Sequence, residues 1–261
     1  MALVRCDFYS EVLEVGTTLT ALLPQEGESQ IGVSTSSTGR EGSTGRDGGF
    51  PLLYLLHGLS DDATAWQRYS SIERYAAELG LAVVMPQVGR SFYADEPHGG
   101  AYWTFLSEEL PSVVQSFFRV STRREDTFVA GLSMGGYGAL KWALHQPERF
   151  AAAASLSGAL DLAELTRGPD PRNFVERVFE GVVGPEDDLF ALLAAADVDT
   201  LPSMYVGCGT EDELYPGNVR FVDAAVADGV DVQVDFRTGE HEWGVWDAAI
   251  RDVLAWLPVR G

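Results

Sequence analysis

Residues 127–138 constrain the fold more than any other part of the chain. Phe128-Val129-Ala130 is a short apolar run, typical of a buried strand, and an Ala-rich helical pattern spans residues 137–145. Between them, Gly131-Leu132-Ser133-Met134-Gly135 fits Gly-x-Ser-x-Gly. A serine at the tip of a sharp strand-to-helix turn sits in strained backbone and needs neighbours without bulk. The pattern therefore predicts an exposed serine hydroxyl at a strand end, beside the free N–H groups of a helix N-terminus.

Composition is typical of a soluble globular protein. The chain has 261 residues, of which 46% are apolar and 22% charged, so one large domain is expected. The net charge of −21 argues against nucleic acid and anionic membranes as partners. Cys6 and Cys208 form neither a disulfide framework nor a metal-binding pattern. Because the sequence shows no apolar leader or membrane span, we expect a cytoplasmic protein, and a homo-oligomer is left open.

Apolar runs that predict strands alternate with helical patterns along the chain. The predicted strands are residues 3–10, 17–23, 51–57, 81–86, 128–130, 151–156, 203–208 and 230–236. The predicted helices are residues 66–79, 103–118, 137–145, 173–179, 188–196, 218–227 and 243–257, and Pro111 should start or kink the second. This order predicts one α/β domain over residues 1–261, with a mainly parallel central sheet flanked by helices. Residues 24–49 are predicted to be a mobile surface loop, and residues 160–201 a helical insertion over the active-site end of the sheet.

A base for the serine is the next requirement. The Ser133 hydroxyl becomes a good nucleophile only if a neighbouring group takes its proton, normally a histidine held by a carboxylate. The chain has four histidines. His57 ends a strand and suits a role in shaping the following loop. His98 lies in a glycine-rich loop, and His145 lies about three turns into the helix. His241, between the last strand and the last helix, is therefore the predicted base.

Three acidic residues compete as the partner of the histidine. Asp212 directly follows a buried strand, and Glu211 is its near rival, whereas Asp235 lies within the last strand and is less suited. The order Ser133, Asp212, His241 along the chain is that of α/β-hydrolases. We therefore predict Asp212 as the acid.

An acyl transfer also needs hydrogen-bond donors for the oxyanion. The N–H of Met134, next after the serine, is the first predicted donor. The second is expected in the loop after the His57 strand, and Leu59 is the predicted residue, because Gly58 lets the chain turn there without a side chain.

Short segments spread along the chain carry a further pattern. They are Arg5-Cys6-Asp7-Phe8-Tyr9-Ser10, Leu55-Leu56-His57-Gly58, Tyr102-Trp103-Thr104-Phe105, Glu108-Glu109-Leu110-Pro111, Gly131-Leu132-Ser133-Met134-Gly135-Gly136-Tyr137-Gly138, Cys208-Gly209-Thr210-Glu211-Asp212 and His241-Glu242-Trp243. Together they resemble the tributyrin-esterase branch of the esterase D family over nearly the whole chain, apart from residues 24–49.

The resemblance implies an α/β-hydrolase fold and a carboxylesterase that acts on small, short-chain acyl esters without a metal or cofactor. It also supports Asp212 over Glu211, because the last acid of Thr-Glu-Asp and the histidine of His-x-Trp match the triad of the family. Relatives in the family include S-formylglutathione hydrolases, feruloyl and acetyl xylan esterases and mycolyltransferases. Formylglutathione hydrolases usually carry a cysteine soon after His-Gly-Leu, where this chain has Ser60-Asp61-Asp62, which argues against that activity.

Aromatic residues are frequent in loops that should lie near the serine. The predicted substrate-binding residues are Trp66, Tyr93, Tyr102, Trp103, Phe174 and Phe179. Any single ring among them more often packs in a core. As a group they predict a small, partly aromatic acyl pocket, because rigid aromatic walls bury apolar acyl carbons and leave little room for a long chain.

Two other classes of function remain as alternatives. A thioesterase or an acyltransferase would use the same acyl chemistry, and the sequence does not separate these from an esterase. A hydrolase fold that serves only as a binding protein would be expected to have lost a triad member, whereas this chain keeps Ser133, Asp212 and His241.

Overall fold

One eight-stranded sheet, in the order β1-β2-β4-β3-β5-β6-β7-β8, runs through the computed structural model, which describes residues 1–25, 49–165 and 174–259. The strands are β1 (Ala2–Ser10), β2 (Val15–Leu23), β3 (Leu52–Leu56), β4 (Ala82–Pro86), β5 (Thr127–Leu132), β6 (Ala152–Leu156), β7 (Ser203–Gly209) and β8 (Val232–Arg237). Strands β3 to β8 pair in parallel, and the hairpin β1-β2 adds to β4 in antiparallel orientation. Parallel strands bring their carboxyl ends, and the loops that follow them, to one edge of the sheet.

Helices cover both faces of this sheet. They are α1 (Ala65–Tyr69), α2 (Ile72–Leu79), α3 (Tyr102–Thr104), α4 (Leu110–Phe117), α5 (Met134–His145), α6 (Leu162–Leu165), α7 (Phe174–Phe179), α8 (Leu189–Ala195), α9 (Tyr215–Ala227) and α10 (Trp243–Trp256). One apolar cluster lies on the α5 face, where the Trp142 ring packs against Tyr54 and Phe150, each at 5.0 Å between centroids. A second cluster lies on the face of α2 and α10 and includes Trp66 and Ile250. Within the described residues, no helix is both long and apolar enough to span a bilayer.

The predicted α/β fold is confirmed, because every predicted apolar run forms a strand of the sheet. The core strands β3, β4, β5 and β6 are buried at every position, which explains why their sequences are continuously apolar instead of alternating. Of the predicted loop, residues 26–48 lie outside the described residues. In the predicted insertion, residues 166–173 do as well, and α8 packs against α5 and α9.

Two predicted helices differ from the structure. The helix expected over residues 66–79 breaks at Ser70, whose backbone is extended. The N–H and the hydroxyl of Ser70 both donate to the Trp66 carbonyl. The helix expected over residues 103–118 contains a π-helical segment, Phe105–Glu109, in which the Leu110 N–H bonds to the carbonyl of Phe105 five residues earlier. Pro111 follows at once, and the wider turn accommodates its missing N–H and its ring.

The turn from β5 into α5 is closed by main-chain packing. A Cβ atom added at Gly131 would lie 2.2 Å from the carbonyl oxygen of Gly135, and one added at Gly135 would lie 2.4 Å from the carbonyl oxygen of Leu56. Neither obstacle is a flexible side chain, so only glycine fits at these positions. The motif glycines thus bring α5 against β5 and β3.

Gly131→Ala should therefore lower the free energy of unfolding by about 2–3 kcal/mol or more, because the added methyl group forces main chain apart. In a domain of this size, the thermal midpoint should fall by about 5–10 °C. Gly16→Ala is the matched control, because nothing lies within 4 Å of its added Cβ, and its effect should stay within about 0.5 kcal/mol. Equal midpoints for the two variants in a calorimetric scan would contradict this account.

Candidate active site

Ser133 lies at the tip of the β5–α5 turn in left-handed backbone, with φ of 53° and ψ of −119°. Such a conformation costs a serine about 1–3 kcal/mol and persists only where its surroundings fix it. Here the Ser133 N–H donates to the Leu156 carbonyl at 2.9 Å, and the Ser133 carbonyl accepts from the Ala159 N–H at 3.1 Å. The main chain after β6 therefore holds the serine on both sides.

His241 and Asp212 complete a hydrogen-bonded line with this serine. His241 Nε2 lies 3.1 Å from Ser133 Oγ, and His241 Nδ1 lies 2.8 Å from Asp212 Oδ2. The Asp212 side chain is fully buried, whereas 30% of the His241 side chain is exposed. The Trp246 ring packs edge-on against the imidazole at 4.8 Å and limits its rotation. A buried acid, an orienting aromatic ring and an accessible base thus meet at the serine.

The environment of Asp212 keeps this acid charged. Burial would raise the pKa of its carboxyl, but hydrogen bonds from His241 and the Leu214 N–H, together with the nearby Ser157 hydroxyl, outweigh burial, and the pKa falls below its ordinary value. The thiol of Cys208 also lies against the carboxylate. Burial and the nearby Asp212 charge raise the pKa of Cys208 to about 12, so this thiol stays protonated.

The competing acids point elsewhere. Glu211 Oε2 accepts the Gly239 N–H at 2.8 Å, and Asp235 bonds to the hydroxyl of Tyr205 and to Arg237. Of the three acidic residues, Asp212 is the one hydrogen-bonded to His241 in the described structure.

His57 organises the loop after β3. Its Nε2 accepts the Val88 N–H at 3.2 Å, so its proton is on Nδ1, which donates to the Gly58 carbonyl at 2.8 Å. Burial lowers the pKa of His57 and keeps the ring neutral. The Asp61 N–H also donates to the Gly58 carbonyl, at 3.2 Å. Because the C=O and N–H of a trans peptide point in opposite directions, anchoring Gly58 turns the Leu59 N–H away from these donors.

The two predicted oxyanion donors lie on either side of the serine. Met134 is the first residue of α5, and N–H groups at that position have no partner within their own helix. Gly58 lies beside the nucleophile, since a Cβ atom added there would be 3.6 Å from Ser133 Cβ. The described geometry is compatible with both donors, and their role stays a prediction.

The other two histidines are remote from this line. His98 lies 3.6 Å from Glu180 on the surface, and His145 Nε2 contacts the Glu186 carbonyl at 2.8 Å.

The structure does not bring the six predicted substrate-binding aromatics into one group. Phe174 stacks on Phe92 at 4.7 Å and Phe179 contacts Phe92 at 6.4 Å between centroids. Phe92 in turn meets Tyr137, in the first turn of α5 after the serine, at 6.0 Å. These four rings form the aromatic cluster nearest in the chain to the candidate nucleophile, and Tyr137 was not predicted as part of it.

The remaining predicted rings have different surroundings. Trp66 and Tyr93 are 1% and 0% exposed, and they bond to the carbonyls of Leu56 and His57 beneath the loop after β3. They support that loop and offer no surface to a substrate in this structure. Trp103 lies over Lys141, whose Nζ is 4.5 Å from the ring, about 12 Å along α5 from the serine. Tyr102 is half-buried beside Gly100.

Lys141 connects the segment around Asp187 to α5. It is 2% exposed, donates to the Tyr93 carbonyl at 2.9 Å and pairs with Asp187. The Tyr137 hydroxyl donates to the Asp187 carbonyl at 2.7 Å. A buried charge is stable only when it is paired, so the chain around Asp187 is fixed on α5.

Sequence reasoning missed Ser157, which lies at the end of β6 beside Asp212. A serine before a glycine at a strand end gives no local signal of a contact with a residue 55 positions later. Among the described residues, no group of three or more His, Cys, Asp or Glu side chains is placed to hold a metal ion.

Comparisons with known proteins agree with this site. The family model described as "putative esterase" matches residues 43–257. An acetyl esterase of Caldicellulosiruptor saccharolyticus is 29% identical over 273 residues, covering 98% of each chain. The fluorophosphonate-binding serine hydrolase F of Staphylococcus aureus superimposes with a TM-score of 0.86 at 32% identity, over 100% of this chain and 99% of that one. An S-formylglutathione hydrolase of the same organism gives a TM-score of 0.83 at 33% identity, over 98% of each chain.

A match over most of the chain, full-length relatives described as an acetyl esterase and a fluorophosphonate-binding serine hydrolase, and a serine–histidine–aspartate line lead to one conclusion. The chain belongs to the esterase family and is a serine esterase with the α/β-hydrolase fold.

Proposed function

We propose that this esterase hydrolyses short-chain acyl esters through an acyl-enzyme on Ser133, with His241 as the base and Asp212 as its orienting acid. The observation that carries the proposal is the hydrogen-bonded line of 3.1 Å and 2.8 Å joining the three side chains. Both links lie within the range expected for a nucleophile and its base.

The chemistry proceeds in two steps. Ser133 Oγ attacks the ester carbonyl while its proton moves to His241 Nε2, and the imidazolium is stabilised by the buried Asp212 carboxylate. The tetrahedral intermediate collapses when His241 returns the proton to the leaving alcohol oxygen. A water molecule then attacks the acyl-enzyme with His241 again as base, which releases the acid and restores the Ser133 hydroxyl.

The oxyanion is stabilised by the N–H groups of Met134 and Leu59. Anchoring of the Gly58 carbonyl by His57 and Asp61 supports the second donor, because it fixes the orientation of the Leu59 peptide before substrate arrives. Each donor of this kind typically contributes about 3 kcal/mol to stabilisation of the transition state.

A short acyl group is supported by two observations. The aromatic cluster around Phe92 packs against the first turn of α5 through Tyr137, and Phe174, its half-buried member, is the ring that would offer a surface to an acyl group. The full-length relative from Caldicellulosiruptor saccharolyticus is an acetyl esterase, which agrees with the resemblance to the tributyrin-esterase branch.

A thioester is the second candidate substrate class, because the S-formylglutathione hydrolase of Staphylococcus aureus is 33% identical over 98% of this chain. Ser60-Asp61-Asp62 after the oxyanion loop, in place of the cysteine usual in that activity, favours the oxygen ester.

The neighbouring acids Asp212 and Glu211 form a matched pair for testing the triad. Asp212→Asn removes the charge that orients His241, so kcat should fall by about 10⁴-fold. Glu211→Gln keeps an oxygen that can accept the Gly239 N–H and should retain kcat within about twofold. Stopped-flow hydrolysis of p-nitrophenyl acetate measures both. A large loss in Glu211→Gln with activity kept in Asp212→Asn would reverse the assignment.

A small acyl pocket predicts a chain-length optimum. Each methylene that the pocket accepts gains only about 0.8 kcal/mol, so preference should fall once the pocket is full. In a series of p-nitrophenyl esters from acetate to laurate, the best kcat/KM should be found among acetate, propionate and butyrate. The matching thioesters, measured in parallel, should be poorer substrates. An optimum at octanoate or longer would refute the small pocket, and faster hydrolysis of every thioester would favour the second substrate class.

A further inference from the structure

Ser157 ends β6 in an unfavourable conformation. Its φ is 46°, in the left-handed region that favours glycine, and the residue is 1% exposed. The next residue, Gly158, could adopt a left-handed conformation without strain, so the chain did not need a serine in that conformation to turn here. A strained, buried serine at this point indicates that its side chain has a function.

The hydroxyl of Ser157 makes no hydrogen bond of ordinary geometry within the described part of the chain. It nevertheless lies against two polar groups, the Asp212 carboxylate and the Cys208 thiol. The Cys208 thiol is protonated, so the acceptor within reach of the hydroxyl is the carboxylate. A buried hydroxyl without a partner is costly, so a donor beside a charged carboxylate is favoured to turn toward it.

The backbone around Ser157 faces the other end of the triad. Leu156 and Ala159 bond to the N–H and the carbonyl of Ser133, while the Ser157 N–H donates to the Gly207 carbonyl at 2.7 Å, one residue before Cys208. Residues on both sides of the left-handed turn at Ser157 thus bond to the nucleophile. One short segment, residues 156–159, therefore contacts both the nucleophile and the acid.

We propose that Ser157 is a positioning residue of the triad, whose hydroxyl donates to Asp212 and holds that carboxylate in line with His241. The inference rests on the proposed roles of Ser133, His241 and Asp212. Asp212 already accepts one bond at each oxygen, from Leu214 at Oδ1 and from His241 at Oδ2. A further donor restrains rotation of the carboxylate while the imidazolium forms and decays, so the benefit is felt in kcat and not in substrate binding.

Comparing Ser157→Gly with Ser157→Ala separates the loss of the hydroxyl from the effect of backbone strain. Glycine lacks the hydroxyl and adopts the same φ without strain. Ser157→Ala removes the hydroxyl and keeps the strain. Ser155→Ala is the matched control, since Ser155 is also fully buried on β6 and its hydroxyl also has no partner among the described residues. All three variants are compared with the wild-type chain by thermal melting and by kcat and KM for p-nitrophenyl acetate.

We expect Ser157→Gly to melt within a few degrees of the wild type while kcat falls about tenfold, the effect expected for one hydrogen bond to a charged group, with KM unchanged. Ser157→Ala should show the same loss of kcat with a lower melting temperature. Ser155→Ala should keep the wild-type kcat. The low-field proton resonance of His241 Nδ1–H should move or broaden in both Ser157 variants and stay in place in Ser155→Ala.

Wild-type kcat and an unmoved resonance in Ser157→Gly would overturn the proposal. It would also be overturned if Ser155→Ala lost as much kcat as Ser157→Gly, because the effect would then be one of packing. Labelling with a fluorophosphonate, in which Ser133 Oγ displaces fluoride from phosphorus, separates this outcome from failure of the triad itself. If Ser133 of the wild type is not labelled, the proposed function fails; if it is labelled at equal rates in the wild type and Ser157→Gly, only the role of Ser157 fails.

Discussion

Contact of main chain with main chain at the β5–α5 turn is the constraint on which the rest of the site depends. Gly131 and Gly135 approach so closely that even a methyl group would collide with a carbonyl oxygen. That approach places Ser133 in left-handed backbone at the carboxyl edge of a buried sheet and leaves the N-terminus of α5 facing the same point. The loops after β3, β7 and β8 need only reach this edge to supply the proposed oxyanion donor, acid and base.

Burial and exposure are divided among the groups of the site in a way that fits acyl transfer. Asp212 is fully buried and held charged by its donors, whereas His241 keeps part of its surface open to substrate and water. His57 is buried and neutral and bonds to the backbone of the loop after β3. On the far side of α5, the buried Lys141–Asp187 pair fixes the insertion to the nucleophile helix, so the aromatic cluster around Phe92 has a rigid support.

Much of this arrangement could be predicted from the sequence, because it depends on local patterns. Continuous apolar runs indicated the strands, and the position of Asp212 and His241 after the last two strands led to the predicted triad. Contacts between distant segments could not be predicted in this way. Trp66 follows the loop after β3 in sequence, yet its ring packs on the α10 face, because the direction of a short helix is set by tertiary packing. Ser157 reaches Asp212 only because β6 and β7 are neighbours in the sheet.

The central claim, an acyl-enzyme on Ser133, is tested most directly by rapid quenching during turnover of p-nitrophenyl butyrate, followed by intact-mass and peptide-mass measurement. The account predicts a transient species heavier by one butyryl group, with the added mass on the peptide that contains Ser133. Ser133→Ala, which removes a single hydroxyl from the turn, should give no such species while it melts like the wild type. A butyryl group on any other residue, or full turnover by Ser133→Ala, would contradict the account.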